Sequence, residues 1–173
     1  AFLKYEQQGH VVTLTMSQPE RRNPLTGNTA VDEFLAAIEK IRADTSVRAV
    51  ILTGEGPAFS SGGDIKTMQE QSFGEVDGMR IRDDYRRGIQ RLPLALFNLE
   101  VPTIAAINGA AVGAGLDLAC MCDLRVASDK ARFAESFVKM GIIPGDGGAW
   151  LLPRVIGMSR AAELSLTGRM IDA

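Results

Sequence analysis

The sequence predicts an α/β fold in which strands and helices alternate. Three observations carry it: short apolar runs such as Ala49-Val-Ile-Leu52 and Thr103-Ile-Ala-Ala-Ile107, segments with apolar residues at spacings of three and four, and glycine-rich loops joining the two kinds. Runs of that sort suit strands buried on both faces, and alternation with helices makes them parallel. The 173 residues suit a single domain, 1–173, with a sizeable core. With 46% hydrophobic and 23% charged residues the composition is that of a soluble globular protein. A net charge of −2 gives no electrostatic case for nucleic acid or an anionic membrane surface. No apolar run approaches the roughly eighteen residues of a membrane span, and no signal peptide is visible. A cytoplasmic location is expected, or an organelle matrix, since the chain begins at Ala1 rather than methionine.

Taken in order, Phe2 to Gln7 and His10 to Met16 are strand-like segments around Gln8-Gly9, a hairpin at a sheet edge. Gln18 to Gly27 holds two prolines among polar residues and must be loop. Val31, Phe34, Leu35, Ile38 and Ile41 recur at three and four, with Glu33, Lys40 and Arg42 between them, predicting an amphipathic helix against the core. Arg48 to Thr53 reads as a buried strand, Gly54 to Asp64 as a flexible loop and Ile65 to Gln71 as a short helix. Ser72 to Gly78 is polar and glycine-bearing, expected to be mobile. A helix follows from Met79 to Leu99, with Ile81, Tyr85, Ile89 and Leu92 on one face and Pro93 kinking or dividing it. Its arginines interleave with Asp83 and Asp84, which makes a solvated face rather than a nucleic-acid surface.

Thr103 to Ile107 is the next strand, Asn108-Gly109 a break, and Val112 to Cys122 a helix. Asp123 to Ala127 is a strand, Ala131 to Ala134 an extended piece, and Gly141 to Gly148 a second glycine-rich loop, which leads into Ala149 to Ile156 and a last helix from Ser159 to Leu166. The only cysteines, Cys120 and Cys122, are two apart on a helix and face different directions, so they are read as reduced core thiols in a reducing compartment. His10 is the sole histidine and is given a structural role, leaving no material for His-based triads or zinc sites.

The chemistry is expected in the stretch Thr103 to Leu118. There a buried strand runs into a helix whose first turn holds Gly113, Ala114, Gly115 and Asp117, and unpaired N–H groups face whatever lies in front. Close packing of strand on helix explains the small residues equally well. A P-loop needs Gly followed by Lys and Ser or Thr, which no glycine here offers. The dinucleotide fingerprint G-x-G-x-x-G is approached by Gly113-Ala-Gly115, but its sixth position is Leu118. Two loops of small residues, each after a buried strand and before a helix, can bring two amides together. Such a pair suits a thioester carbonyl whose α-carbon gains or loses a proton, because the negative charge collects on that oxygen. Asp117, one turn beyond Ala114, is the carboxylate at hand. The helix dipole should hold its carboxyl low, fitting it as a base.

Ala58-Phe-Ser-Ser-Gly-Gly-Asp-Ile-Lys66 resembles the A-F-x-A/S-G-x-D-I-K signature of the crotonase, or enoyl-CoA hydratase/isomerase, superfamily. Asn108-Gly-Ala-Ala-Val-Gly-Ala-Gly-Leu-Asp-Leu-Ala119 resembles its N-G-x-A-x-G-G-G-x-E/D-L-A block, and order, spacing and the intervening helix agree from Phe2 onward. The resemblance implies a crotonase-like spiral of ββα units and an acyl-CoA substrate. Coenzyme A then enters as part of the substrate, with no prosthetic group and no metal. By position, the two amides on the carbonyl are those of Ser61 and Ala114; alanine in place of the usual glycine keeps the N–H. The resemblance also sets Ser61, Gly62, Gly63, Asp64 and Ile65 beside the adenine and pantetheine, with Arg21 and Arg22 along the cofactor arm. Relatives usually continue through a further C-terminal helical part, apparently missing here, and a homo-oligomer, trimer or dimer of trimers, is implied by analogy.

Asp117 falls where relatives carry the first catalytic carboxylate. The second hydratase glutamate aligns with Phe137, which cannot transfer a proton. Phe137 to Gly141 and Ala149 to Arg154 instead resemble ring-epoxide and double-bond isomerases, which carry an aspartate directly after the loop proline. Here Gly145 has that place and Asp146 follows, so Asp146 is expected as the second acid/base residue, with Glu135 in reserve and a helix cap near Gly147 as the structural alternative. The resemblance thus implies an acyl-CoA-processing enzyme that moves a proton on an unsaturated thioester through an oxyanion-stabilised enolate. It is a hydratase by family name, with a dienoyl-CoA or ring-epoxide-type isomerase, or a non-catalytic acyl-CoA-binding member, as alternatives.

Overall fold

The computed structural model describes residues 1–66, 68 and 77–173. The chain opens on the expected hairpin, β1 (Leu3–Gln8) and β2 (Val11–Met16), turned at Gly9 with φ 57°, where a side chain would be strained. Val12, Leu14 and Met16 alternate into the core. His10 is exposed in this turn, its Nδ1–H donating to the Ser46 carbonyl at 2.7 Å. α1 (Ala30–Ala43) buries Phe34, Ala37, Ile38 and Ile41, and its Glu33 carboxylate accepts from the N–H groups of Phe2 and Leu3 at 3.0 and 2.8 Å.

From there each pass of the chain lays one strand in each of two sheets and then crosses back through helix. β3 (Ala49–Gly54) and β4 (Ala58–Ser60) precede α2 (Gly78–Arg87) and α3 (Arg91–Phe97). β5 (Thr103–Ile107) and β6 (Ala110–Val112) precede α4 (Ala114–Met121), and β7 (Leu124–Ala127) and β8 (Arg132–Ala134) precede a 3-10 turn at Ser136–Met140, α5 (Gly148–Ile156) and α6 (Met158–Thr167). β9 (Met170–Asp172) closes the described chain. One sheet runs β1-β2-β3-β5-β7, the other β4-β6-β8-β9; only the first pair of the one and the last pair of the other are antiparallel. This is the predicted ββα spiral.

Two expectations need correction. β4 and β6 lie where the sequence reads as loop and break, because three-residue strands of small residues carry no periodicity. The helix expected over Met79 to Leu99 divides at Gly88 rather than at Pro93. Pro93 instead occupies the first turn of α3, where the missing N–H leaves no helical bond unmade. The short helix and mobile segment expected between Ile65 and Gly78 fall for the most part outside the described residues. α4 is buried from Ala114 to Cys120, which is why its sequence shows no polar face.

Candidate active site

The second sheet brings the two glycine-rich segments together. β4 and β6 are parallel neighbours, with Ser60 opposite Ala111, so both chains leave the sheet on the same side. Close approach then requires glycine on both. A Cβ on Gly62, already at φ +83°, would lie 3.0 Å from the Ala114 nitrogen, and one on Gly115 would strike the Ser60 carbonyl. The loop carrying Arg21 and Arg22 is latched to the same strand. Buried Asn23 donates from Nδ2 to the carbonyls of Glu55, Ala58 and Phe59, and Ser60 Oγ donates to the Asn23 carbonyl at 2.8 Å.

These latches decide which amides are free. The Ser61 N–H, expected to face the substrate, donates to the Arg22 carbonyl at 2.8 Å, and the Gly62 N–H donates to Ser60 Oγ at 3.1 Å. The Gly63 N–H has no acceptor among the described residues, and neither has that of Ala114, the first residue of α4. The Ser61 amide is thus engaged within the protein, and the Gly63 amide is not. In front of it a cleft of about 320 Å³ is lined by Arg21, Pro24, Ser61, Gly63, Asp64, Ile65 and Lys66. Arg21 pairs with Asp64 across it, while Arg22 gives its carbonyl to the latch and keeps an exposed side chain.

Three carboxyls cluster about α4. Asp117 is 0% exposed, Glu135 1% and Asp146 4%. Glu135 follows β8, whose last carbonyl, that of Ala134, accepts the Gly113 N–H at 2.8 Å and so fixes the strand end beside the start of α4. Asp146 comes from the loop before α5, held by Gln90 Nε2 donating to the Gly145 carbonyl at 2.6 Å. α5 starts from Gly147 with no side-chain cap, so Asp146 does not serve as one. The backbone of Gly148 covers Asp117: a Cβ there would collide with both carboxylate oxygens. Phe137 lies against Gly113, and a Cβ there would sit 3.7 Å from its ring edge.

Among the described residues no N–H or hydroxyl reaches either oxygen of Asp117 or of Glu135, so a proton shared with Glu135 or Asp146 is the hydrogen bond left to Asp117. Burial, then the like charges of Asp146 and Glu135, push Asp117 well above the usual carboxylate range. Burial, then Asp146, pushes Glu135 up to about 8. Burial also raises Asp146, opposed by the hydrogen bond from Asp117. The expectation that the helix dipole holds Asp117 low is overturned. Its oxygens make no bond to the α4 amides, and a helix end supplies only about 0.3–1 kcal/mol against lost hydration and two like-charged neighbours. The two cysteines are free and buried, their thiols pushed up to about 12 mainly by burial.

The family model described as "Enoyl-CoA hydratase/isomerase" matches residues 6–173. The chain belongs to the enoyl-CoA hydratase/isomerase family. A relative from Rhizobium meliloti (strain 1021), named "Probable enoyl-CoA hydratase", is 40% identical over 171 residues, 99% of this chain and 63% of that protein. Among solved structures of the family, the enoyl-CoA hydratase from Bacillus anthracis superposes with a TM-score of 0.88 at 34% identity, over 100% of this chain and 65% of that one. An enoyl-CoA hydratase from Polaromonas sp. JS666 does so with 0.88 at 32%, over 99% and 65%. The chain thus spans somewhat under two thirds of the length of these relatives.

Of the site residues expected from sequence, Ser61, Gly63, Asp64 and Ile65 line one cleft with Arg21, which Arg22 does not line; Gly62 packs against the start of α4 at Ala114, and Asp117 and Asp146 are neighbours in the buried carboxyl cluster. Gly148, and the contact of Glu135 with Asp117, were beyond sequence reasoning. The only signal was the dense Gly145-Asp-Gly-Gly148 run, which marks close packing without saying against what.

Proposed function

We propose that the chain is the catalytic part of an enzyme that moves a proton on an unsaturated acyl-CoA thioester through an enolate. The observation that supports this is the close approach of the 61–63 loop, with its free Gly63 amide, to the free Ala114 amide at the start of α4, the helix whose Asp117 belongs to a buried cluster of carboxyls. In this reading coenzyme A lies along Arg21, Arg22 and residues 61–65 and enters only as part of the substrate. The thioester oxygen accepts from both amides, which need no reorganisation as charge develops. Asp146 takes a proton from one carbon, the electron pair moves to the thioester oxygen, and Asp117, whose buried carboxyl holds its proton more tightly than a free one, gives that proton to another carbon of the conjugated system. The proton now on Asp146 returns to Asp117 through the hydrogen bond they share. The net change is a shifted double bond.

Hydration would call for a carboxylate where Phe137 lies against Gly113, so isomerisation is the favoured reaction, whereas the names of the relatives favour hydration. We further propose a homo-oligomer, supported by the exposed Leu124 and Val126 of edge strand β7, and a reducing cytoplasmic setting, supported by the two buried free thiols. No helix among the described residues is long and apolar enough to cross a membrane.

The test is a panel of enoyl-, dienoyl- and ring-bearing CoA thioesters, followed for added water against a shifted double bond in deuterated buffer. Asp117→Asn should lower turnover by about 10²–10⁴-fold while leaving coenzyme A binding in place. Unchanged turnover would remove Asp117 from its role. Binding of thioesters with no turnover by the unmodified chain would favour an acyl-CoA-binding member instead.

A further inference from the structure

We propose that Glu135 is a positioning residue of this site, which holds the side-chain proton of Asp117 in place through a carboxyl-to-carboxyl hydrogen bond. The proposal rests on the reading of Asp117 as the acid and names the group that orients it.

The placement is set by the backbone. β8 runs parallel to β6 with Ala134 opposite Val112, and the Gly113 N–H bond to the Ala134 carbonyl ends that pairing at the first turn of α4. The residue after β8 is thereby delivered beside Asp117. At 1% exposure Glu135 is shut off from bulk water, and no basic side chain forms an ion pair with it among the described residues. Arg125, the cation that acts on Cys120 of α4, spends its guanidinium on the carbonyls of Ala119, Cys122 and Asp123. A buried carboxyl in such a place is costly unless it shares a hydrogen, and the hydrogen on hand is that of Asp117. Gly148 restricts where the Asp117 carboxyl can turn, so one acceptor is enough to choose which oxygen carries the proton.

The groups that face this pair are few. Asp146 approaches from the loop before α5 and Tyr85 of α2 faces Asp146, while Cys120 lies on α4 itself, with its thiol ionising only near 12. Of these, Asp146 is the other carboxyl beside Asp117 that burial raises, and it is unaltered in a variant at position 135. Ionised Glu135 places a like charge beside Asp117 and accepts its proton; both effects raise the pH at which Asp117 lets go. A glutamine keeps the shape but carries no charge at any pH.

The decisive measurement is a carboxyl carbon-13 NMR titration of the full chain, for the unmodified protein, Glu135→Gln and Glu135→Asp. In the unmodified protein the Asp117 carboxyl should stay protonated past neutrality and show an inflection near pH 8, where Glu135 ionises. In Glu135→Gln the Asp117 midpoint should fall by about one pH unit or more, and Glu135→Asp should restore part of it. An unchanged Asp117 midpoint in folded Glu135→Gln overturns the proposal. Should that variant fail to fold, an Asp117 resonance blind to the titration of Glu135 in the unmodified protein overturns it equally. Neither readout requires turnover, so failure of the acyl-CoA reading is scored apart, by the thioester panel. Where turnover is measured, the basic limb of kcat/KM should move to lower pH in Glu135→Gln, whereas a merely structural role would lower activity equally at every pH.

Discussion

Replacing Gly148 by alanine tests the site through one methyl group. Gly148 opens α5, where alanine is the better helix former by roughly 0.8–1 kcal/mol. Its Cβ, however, would overlap the carboxylate of Asp117, and carbon–oxygen contacts that close do not occur in packed interiors. Bringing the contact back to an ordinary separation demands a shift of about 1 Å or more, by Asp117 or by the start of α5. Overpacking of this kind costs about 1–3 kcal/mol, so after the helical gain the net destabilisation should be about 0–2 kcal/mol and the variant should fold. A misplacement of about 1 Å in a reacting group lowers the rate by about 10²-fold. The assay is turnover of the best thioester from the panel, with coenzyme A affinity as control, since Gly148 does not line the cleft beside Arg21 and Asp64. Wild-type turnover in a folded Gly148→Ala protein would refute the reasoning, because the acid would then tolerate displacement from its place.

The same cluster sets the pH dependence of stability. Asp117, Glu135 and Asp146 hold protons more tightly folded than unfolded, so from about pH 4, where free carboxyls ionise, to about 8, where Glu135 titrates, the folded chain binds more protons. This contribution is complete below that window and is lost as pH rises through it; Tm should therefore fall from about pH 5.5 to 8.5 by calorimetry, and a rise would count against a protonated cluster. Arg21→Ala removes one partner of an ion pair whose side chains are 42% and 14% exposed, worth at most about 1 kcal/mol, so Tm should hardly move. Coenzyme A affinity, read by calorimetric titration, should fall by about 10-fold; unchanged affinity would take the cofactor arm off this cleft.

Much of the fold was legible in the sequence. Val31 to Ile41 at spacings of three and four became the buried face of α1, and the apolar runs at Val50 and Ala105 became strands with burial on alternate residues, because period and hydrophobicity are local properties of the chain. The small-residue strands β4 and β6 were not legible, since what makes them strands is their pairing with each other and with β8. Pro93 was misread for a related reason. A proline forbids a helix interior but suits a first turn, and which applies depends on where the chain turns at Gly88.

The site divides in the same way. By itself the sequence determined the family, through two motifs whose residue types are required by backbone close approach, and with it the neighbourhood of Arg21, residues 61–65, Ala114, Asp117 and Asp146. Only the tertiary structure decided that the Ser61 amide is occupied and the Gly63 amide free, because that depends on a hydrogen bond to Arg22, thirty-nine positions away by subtraction of their numbers. Only it decided the direction in which the Asp117 carboxyl is pushed. A carboxyl at a helix start looks like a stabilised anion when read along the chain. Enclosed by Gly148, Glu135 and Asp146, which all lie well beyond it in the sequence, it loses water and gains two like-charged neighbours, and holds its proton more tightly.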